Sequence, residues 1–168
     1  KILLEPGRYM SGNAGVLLTT CLYEKKGEAQ TFKIVDAGMN ELNRPALYEG
    51  HHEIVPLQES RMSDRITADV VGPICESGDF FCQGREIPDI KANDIIALMS
   101  AGAYSFTMAS NYNSRPLPAE ILIDGRQVHL ARRRRHKSDL VLRQRRQRRQ
   151  TLDAPLAAAP CRALLFSL

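Results

Sequence analysis

The chain has 168 residues, 43% of them hydrophobic and 25% charged, and no apolar run approaches the roughly 20 residues of a membrane-spanning helix. Residues 1–130 hold 12 basic and 17 acidic side chains, a net charge of −5, whereas residues 131–168 hold 11 and 2, a net charge of +9 that brings the total to +4. This length fits one domain with a real core; the composition excludes a helical membrane protein, and the acidic body argues against a nucleic-acid partner, since such folds usually carry their positive patch on the folded surface.

Short strands separated by turn residues follow one another along the body of the chain. Residues 16–24 and 31–36 are predicted to form a hairpin around a turn at 25–28. Helix-like spacing over residues 39–48, interrupted by Pro45, predicts a short helix or turn. Further strands are predicted near residues 53–57, 66–71, 94–100, 120–123 and 127–131, with Gly125 turning between the last two. The pattern indicates a mainly β protein built as a closed or nearly closed barrel.

The composition changes near residue 134 and stays basic toward the end of the chain. Arginines fill positions 132–135, and five more interleave with glutamine between residues 143 and 149, before an Ala- and Pro-rich end. The segment lacks an apolar face able to dock on a core, so we expect it to be disordered. An arginine-rich arm for RNA or an acidic partner is a second interpretation. A non-native sequence, such as one translated out of frame, is a third.

Cys75 follows a predicted strand and precedes two carboxylates, Glu76 and Asp79. Negative neighbours disfavour a thiolate, so Cys75 is expected to keep its proton near neutral pH and to donate it as a general acid. The alternative is a small buried cysteine beside a turn. The four cysteines show no CxxC pair and no zinc-like spacing with histidine, which predicts reduced thiols in a cytoplasmic protein and no metal site. Spacing permits a Cys75–Cys82 disulfide, with little else in its favour.

Three other segments carry residues suited to small ligands. Residues 5–8 (Glu-Pro-Gly-Arg) form a turn whose Arg8 can bind a carboxylate or a phosphate. Arg44 lies four residues before Tyr48, and a small-residue turn presents Tyr104. Considered alone, Arg8 could equally be an ordinary surface side chain at the end of a strand. Each tyrosine, considered alone, could be a half-buried residue of the barrel. The histidines at 51 and 52 are adjacent and would point to opposite faces of an extended chain, which argues against a metal pair.

Taken together, these segments resemble one family, the diaminopimelate decarboxylases, which are pyridoxal-phosphate enzymes of the alanine-racemase fold type. The resemblance runs in order from Ile2 to about Arg134. The matching segments are Glu5-Pro6-Gly7-Arg8, Asn13-Ala14-Gly15, Asp36-Ala37-Gly38-Met39-Asn40, Arg44-Pro45-Ala46-Leu47-Tyr48, Gly72-Pro73-Ile74-Cys75-Glu76-Ser77-Gly78-Asp79, Ser100-Ala101-Gly102-Ala103-Tyr104 and Met108-Ala109-Ser110-Asn111-Tyr112-Asn113.

The resemblance implies a two-domain subunit, with a (β/α)8 barrel that holds pyridoxal 5'-phosphate and a C-terminal β-barrel. Residues 1–15 would end the first domain, residues 16–134 would form the second, and residues 135–168 would be the basic tail. Family members work as homodimers with each active site at the subunit interface. The resemblance implies that the cofactor lysine lies upstream of these residues. The lysines present here lie outside any matching motif: Lys1, Lys25, Lys26, Lys33, Lys91 and Lys137. We therefore expect a fragment that is inactive alone.

The matching motifs also imply residue roles at the cofactor. Glu5, Pro6, Gly7 and Arg8 would hold the cofactor phosphate, and Arg8 would also bind a substrate carboxylate. Tyr104 would contact both the cofactor and the substrate.

The remaining roles concern the substrate. Arg44 and Tyr48 would bind it, while Cys75 and Glu76 would reach into the partner's site, as proton donor and as the contact to the distal amino group. The implied reaction converts meso-2,6-diaminopimelate to L-lysine and CO2, the last step of lysine biosynthesis. Two arginines and a glutamate suit a distal carboxylate and a distal ammonium. The alternatives are a related ornithine- or arginine-type decarboxylase and a non-catalytic module that pairs with a full-length subunit.

Overall fold

A computed structural model describes residues 1–59 and 64–142 of the chain. The chain forms two compact units, Lys1–Pro118 and Ala119–Leu168. None of the helices in these described ranges is long and apolar enough to cross a bilayer. The expectations for Cys161 and for the basic tail beyond residue 142 concern residues outside the described ranges.

Six strands form the sheet of the first unit. They are β1 (Leu17–Lys26), β2 (Thr31–Val35), β3 (Ile54–Pro56), β4 (Arg65–Val71), β5 (Phe80–Pro88) and β6 (Ile95–Leu98). Their order is β3-β6-β1-β2-β4-β5, and neighbours are antiparallel except for the parallel β2–β4 pair. Two short helices, α1 (Arg8–Ser11) and α2 (Arg44–Tyr48), are added to this sheet. The second lies where a short helix or turn is predicted.

The predicted hairpin is confirmed by β1 and β2, whose pairing runs from Cys21 opposite Val35 to Lys26 opposite Thr31. Alternate side chains of these strands point inward, so that Cys21, Lys33 and Val35 are fully buried, the period-two pattern of a strand with one covered face. The strands predicted near residues 53–57, 66–71 and 94–100 are confirmed as β3, β4 and β6.

The sheet curls until its two edges meet. β3 and β5, at opposite ends of the strand order, contact each other, and the Arg85 Nη2 on β5 donates to the His52 carbonyl oxygen at 2.7 Å. The core lies inside this curl. Its buried side chains include Cys21, Val35, Leu42, Ile54, Val70, Phe81, Cys82, Ile87, Ile90, Ile96 and Leu98. The mainly β, nearly closed barrel expected from the sequence is therefore confirmed.

One strand of this barrel, β5, is absent from the sequence-based expectations. Its residues include Gly84, at φ +54°, and end at Pro88, both of which disfavour a strand in a sequence pattern. The structure accommodates Gly84 in a bulge, where the strand register shifts opposite Asp69 and the Asp69 carboxylate accepts the Gly84 N–H at 2.6 Å. A tertiary contact thus stabilises a glycine within the strand, although glycine at that position disfavours a strand in the local sequence pattern.

The second unit contains a separate two-stranded sheet of β7 (Glu120–Asp124) and β8 (Gln127–Arg132). Gly125, at φ +57°, makes the tight turn between them, as predicted, because a left-handed position in a two-residue hairpin turn favours glycine. Glu120 and Arg132 close the open end with an ion pair of 2.5 Å. Residues 137–142 are helical.

Candidate functional site

Two arginines from separate segments lie within electrostatic reach of each other. Arg8 begins α1 and is half-buried, and its Nη1 donates to the Ser100 carbonyl oxygen at 2.8 Å. Burial lowers the pKa of Arg8 below its ordinary value, and the positive charge of Arg44 lowers it further. Paired guanidinium groups repel each other, so such a pair is most stable when an anion lies between them.

A single helical turn arranges Arg44 and Tyr48 on one face. Pro45 occupies the first turn of α2, where its missing N–H leaves no bond unmade, and Glu49 ends the helix in a left-handed conformation at φ +52°. Residues four apart in a helix are neighbours, and the Arg44 guanidinium lies 5.6 Å from the centre of the Tyr48 ring. This stacking fixes the direction of a long, otherwise mobile side chain.

The turn at residues 5–8 meets Tyr104. A side chain at Gly7 would collide with the Tyr104 hydroxyl, so any other residue there would require the phenol to move aside. Tyr104 is itself held in a left-handed conformation, φ +59°, and remains 43% exposed. The two segments expected to share the cofactor, residues 5–8 and Tyr104, are thus neighbours in space.

Cys75 and Glu76 lie on a loop of residues 72–79, here called the thiol loop, between β4 and β5. The loop folds back on itself, with Gly72 N–H donating to the Asp79 carbonyl at 3.1 Å and Glu76 N–H to the Ile74 carbonyl at 2.8 Å. Both Cys75 and Glu76 are exposed at its tip. The alternative of a small buried cysteine is therefore wrong for Cys75.

Asp79 fixes the thiol loop from beneath. Its side chain is 5% exposed, and its two carboxylate oxygens accept the Met39 N–H at 2.6 Å and the Ile74 N–H at 2.5 Å. Burial raises the pKa of this carboxyl, although the two backbone amides act in the opposite direction. A side chain at Gly72 would run into the Asp79 carboxylate. In the sequence, Asp79 is only a charged neighbour of Cys75, and its role as a support is visible only in the fold.

The other cysteines of the described ranges differ from Cys75. Cys21 and Cys82 are buried in the core, and all three are free thiols. Burial raises the pKa of both Cys21 and Cys82, so their thiols stay protonated and unreactive. The Cys75–Cys82 disulfide that spacing permits is not formed.

Tyr112 contacts the thiol loop from another part of the chain, and it is not among the site residues expected from the sequence. Its hydroxyl donates to the Glu76 Oε2 at 3.3 Å. The negative charge of Glu76 raises the pKa of Tyr112, with a smaller contribution of the same sign from Cys75. The sequence offers one indication of a role for Tyr112, which is its place in a matching motif two residues after Ser110. Only the fold shows which group the phenol contacts.

One stretch, residues 36–42, holds both the thiol loop and the segment of Tyr112, and we call it the support segment; it is largely buried, with Asp36 exposed at its start. It donates the Met39 N–H to Asp79 and accepts the Ser110 N–H at the Asn40 carbonyl, at 2.9 Å. Arg115 donates to the Asp36 carbonyl and lies 3.6 Å from the Glu41 carboxylate. Burial raises the pKa of Glu41.

The adjacent histidines separate as expected, with His51 exposed and His52 buried. The His52 Nδ1 bonds the Met99 carbonyl at 2.8 Å, next to Ser100, which receives Arg8. Burial lowers the pKa of His52, and the charges of Arg8 and Arg44 act in the same direction. A neutral His52 therefore supports the turn on which Arg8 rests.

The predicted site residues thus fall into two groups. Arg8, Arg44 and Tyr48 are linked by charge and stacking, and residues 5–8 adjoin Tyr104; the second group is Cys75 and Glu76, joined by Tyr112. Within the described ranges no hydrogen bond or ion pair connects Cys75 or Glu76 to either arginine. A nearly closed sheet that exposes arginines, a carboxylate and a thiol at its loops is typical of the ligand-binding β domain of an enzyme.

Comparison with known proteins identifies the family to which this β domain belongs. Residues 9–102 match the family described as "Pyridoxal-dependent decarboxylase, C-terminal sheet domain", and the chain belongs to it. Its relatives include the diaminopimelate decarboxylases of Aquifex aeolicus, 46% identical over 84% of this chain and 33% of the relative, and of Zymomonas mobilis, 47% identical over the same shares. The chain therefore spans about a third of the length of the curated relatives it matches.

Solved structures agree with this assignment. The crystal structure of diaminopimelate decarboxylase from Helicobacter pylori complexed with L-lysine is 40% identical, with a TM-score of 0.77, over 85% of this chain and 35% of that one. A crystal structure from Aquifex aeolicus is 43% identical, with a TM-score of 0.78, over 92% of this chain and 36% of that one. The family resemblance inferred from the sequence motifs is confirmed.

Proposed function

We propose that this chain is the substrate-recognition and dimerisation part of a diaminopimelate decarboxylase, which converts meso-2,6-diaminopimelate to L-lysine and CO2. The observation that carries the proposal is the 46% identity to the diaminopimelate decarboxylase of Aquifex aeolicus over 84% of this chain. Arg8 and Arg44, whose charges add to the effect of burial in lowering the pKa of His52, offer a clamp for a substrate carboxylate. A substrate with a distal carboxylate needs such a clamp, whereas ornithine or arginine has no second carboxylate to fill it.

The substrate's other distal group is an ammonium, which calls for a carboxylate. Glu76 is exposed at the tip of the thiol loop and is the candidate. The carboxylate that leaves as CO2 should be held loosely, so the two arginines are assigned to the distal carboxylate and Tyr48 to the orientation of Arg44. A site with two positive groups and one negative group is complementary to this part of a diaminopimelate molecule.

The residues present fit the phosphate and ring of pyridoxal 5'-phosphate. Residues 5–8 offer a glycine turn next to a half-buried guanidinium, and Gly7 lies directly against the Tyr104 hydroxyl. Glu5, Pro6, Gly7 and Arg8 would hold the phosphate, and Tyr104 would contact the cofactor and the substrate. When bound, the cofactor supplies an electron sink for the pair left when the bond to CO2 breaks.

Cys75 would supply the proton that the α-carbon needs after CO2 has left. The exposed thiol donates its hydrogen to that carbon, and the sulfur regains a proton from solvent before the next turnover. Because neither arginine contacts Cys75 or Glu76 in the described ranges, we assign the thiol loop to the active site of a second subunit. The working enzyme would then be a homodimer in which each site uses both chains.

Fragment reconstitution tests the proposal. The purified chain, supplied with pyridoxal 5'-phosphate and meso-diaminopimelate, should release no CO2. Mixed with the complementary N-terminal two thirds of the Aquifex aeolicus relative, it should release CO2, and Cys75→Ala should leave no more than about one-hundredth of that rate, since a positioned acid is worth about a hundredfold or more. Cys161→Ser is the matched control and should keep it.

Two outcomes would contradict the proposal. Release of CO2 by the chain alone would show that the lysine-bearing domain is not required. A reconstituted rate that survives Cys75→Ala would show that this thiol is not the proton donor.

A further inference from the structure

His52 is a buried histidine whose two ring nitrogens have different surroundings. The residue is 1% exposed, and its Nδ1 lies 2.8 Å from the Met99 carbonyl oxygen. A carbonyl oxygen can only accept, so Nδ1 carries the hydrogen, and Nε2 carries none when the ring is neutral. Within residues 1–59 and 64–142, Nε2 is buried without a hydrogen-bond partner. The ring therefore makes one directional bond, which is its donation to Met99.

The surroundings of the ring keep it neutral. Burial is the main cause that lowers the pKa of His52, and the bond to Met99 opposes it by less. The charges of Arg8, Arg44 and His51 lower this pKa further. A proton added at Nε2 would find no acceptor and would put another positive charge within reach of two guanidinium groups. The neutral ring with its hydrogen on Nδ1 is the form that fits this site.

The bond from His52 fixes the backbone at the end of β6. Met99 is also held at its N–H, which donates to the Glu53 carbonyl oxygen at 2.8 Å. His52 is itself anchored, because the Arg85 Nη2 donates to its carbonyl oxygen at 2.7 Å. The next residue, Ser100, takes a left-handed conformation at φ +57°, which is unfavourable for a residue other than glycine and persists only where its surroundings hold it.

The left-handed turn at Ser100 receives Arg8. The Ser100 carbonyl oxygen accepts a hydrogen bond from the Arg8 Nη1 at 2.8 Å, and the Ser100 hydroxyl donates to the Asn13 Oδ1 at 2.7 Å. The following residue binds the same N-terminal segment, since the Ala101 N–H donates to the Gly15 carbonyl oxygen at 2.7 Å. The turn therefore joins the segment of Arg8 to the barrel.

Arg8 requires a fixed acceptor because of its neighbour Arg44. Two positive charges repel each other, and a long arginine side chain has many rotamers available in water. The Ser100 carbonyl oxygen opposes both effects, since it attracts the Arg8 guanidinium at one defined point. If the turn relaxed, this oxygen would change direction, and Arg8 would be released toward solvent.

We propose that His52 is a positioning residue for Arg8, in which the Nδ1–H holds the Met99 carbonyl so that the Ser100 carbonyl faces the Arg8 guanidinium and keeps it in place to bind an anion together with Arg44. This inference rests on the proposed function, which assigns Arg8 to the substrate and the cofactor. His52 acts through the backbone turn and not on a reacting atom.

The first measurement examines the wild-type chain and does not depend on the folding of a variant. A long-range ¹H–¹⁵N correlation spectrum of the 168-residue chain at neutral pH distinguishes the protonated ring nitrogen of each histidine from the bare one. The four histidines are assigned through their backbone signals. We expect the hydrogen of His52 on Nδ1. A hydrogen on Nε2 would overturn the inference, because the bond to Met99 would then be absent.

Three variants test the effect on Arg8. Leucine and asparagine both branch at Cγ, as histidine does, but only asparagine carries an N–H group in the place of Nδ1. Spectra of the chain labelled at arginine with ¹³C and ¹⁵N report whether rotation about the Arg8 Nε–Cζ bond is restricted, as the hydrogen bond to Ser100 requires. Restricted rotation should be seen in the wild type and in His52→Asn, and it should be lost in His52→Leu. His51→Leu, which removes the neighbouring exposed imidazole, is the matched control and should resemble the wild type.

Two results of these spectra would overturn the inference. Restricted rotation of Arg8 in His52→Leu would show that the imidazole does not position this side chain. Loss of the restriction in His52→Asn as well as in His52→Leu would show that the shape of the ring holds the turn, rather than the hydrogen on Nδ1.

The reconstituted decarboxylase provides a kinetic readout. His52→Leu should raise the KM for meso-diaminopimelate about tenfold, the worth of one hydrogen bond to a charged group, and His52→Asn should restore it. Partial loss of folded protein would lower the apparent kcat and leave KM unchanged, so an unchanged KM in His52→Leu would contradict the inference. If the reconstituted pair released no CO2, the proposed function would fail, while the spectra of the 168-residue chain would still decide the role of His52.

Discussion

At the scale of single residues, the exposed Cys75 and Glu76 depend on a buried partner. Asp79 satisfies two backbone amides, Met39 and Ile74, that would otherwise be unpaired in a dry environment. An unsatisfied buried amide costs about 1–3 kcal/mol. The shape of the thiol loop therefore rests on a carboxylate that is itself buried.

Asp79→Asn tests this dependence, because an amide side chain presents an NH2 group where one of the two N–H donors requires an acceptor. We expect the free energy of unfolding to fall by about 1–3 kcal/mol, measured by urea denaturation with far-UV circular dichroism. Amide exchange at Ile74 and Met39 should accelerate. Asp124→Asn, at an exposed carboxylate of β7, is the control and should change neither quantity; an Asp79→Asn chain as stable as the wild type would refute the assignment.

At the scale of the elements, a charged group holds the ends of strands together. The Lys33 side chain on β2 is fully buried, and its ammonium donates to Glu24 of β1, to the Asp89 carboxylate at 2.9 Å and to the Ile90 carbonyl at 2.6 Å. All three of its N–H bonds are therefore used. This contact ties β1, β2 and the end of β5 at one side of the barrel.

Lys33→Met should lower the free energy of unfolding by about 1–3 kcal/mol at neutral pH, because the acceptors around the ammonium lose their donor. The hydrogen bond from Lys33 holds the pKa of Glu24 below its ordinary value. A depressed folded-state pKa stabilises the fold above the ordinary value of about 4.3, and that contribution is lost as the pH falls through the folded value. Wild-type stability should therefore decline on acidification, and the decline should be shallower in Lys33→Met.

Urea denaturation at a series of pH values measures both effects. Lys25→Met, at an exposed position on β1, is the matched control and should keep the wild-type slope. If Lys33→Met shows the same slope as the wild type, Glu24 draws its stabilisation from elsewhere, such as the neighbouring Lys26.

Strands with a plain alternating pattern could be predicted from the sequence, and β5 could not. β1 and β2 alternate and are separated by a clear turn, so local chemistry was enough for them. In β5 the glycine at 84 takes a left-handed conformation that the Asp69 carboxylate stabilises from 15 residues away. A local sequence pattern carries no information about that contact, so it does not predict β5.

At the scale of the whole molecule, the first unit contains its own core and the complete six-stranded sheet. A chain cut after Pro118 should therefore unfold cooperatively, with a urea midpoint close to that of the full chain, since the core cluster lies within residues 21–98. A chain cut after Asp94 is the control. It lacks β6, which lies between β3 and β1 in the sheet, and should not fold. A large loss of stability after the Pro118 cut would show that the second unit is needed.

The residues proposed to face a ligand could be named from sequence motifs, but the residues that support them could not. Arg8, Arg44, Cys75 and Glu76 carry recognisable chemistry at recognisable spacings. Tyr112 and Asp79 matter because of what they touch, and these contacts join residues 36 and 40 positions apart in the chain. Such partners become visible only when the fold brings the segments together.

Residues 36–42 bind both the thiol loop and the segment that carries Tyr112, and this has a consequence for protein engineering. A change of ligand preference made in one loop alone would leave the other aligned to the old geometry, because both take their position from the same strip of backbone. The smallest transplantable unit is therefore the strip together with its two loops. A library that varies all three at once would search the shapes this scaffold can present.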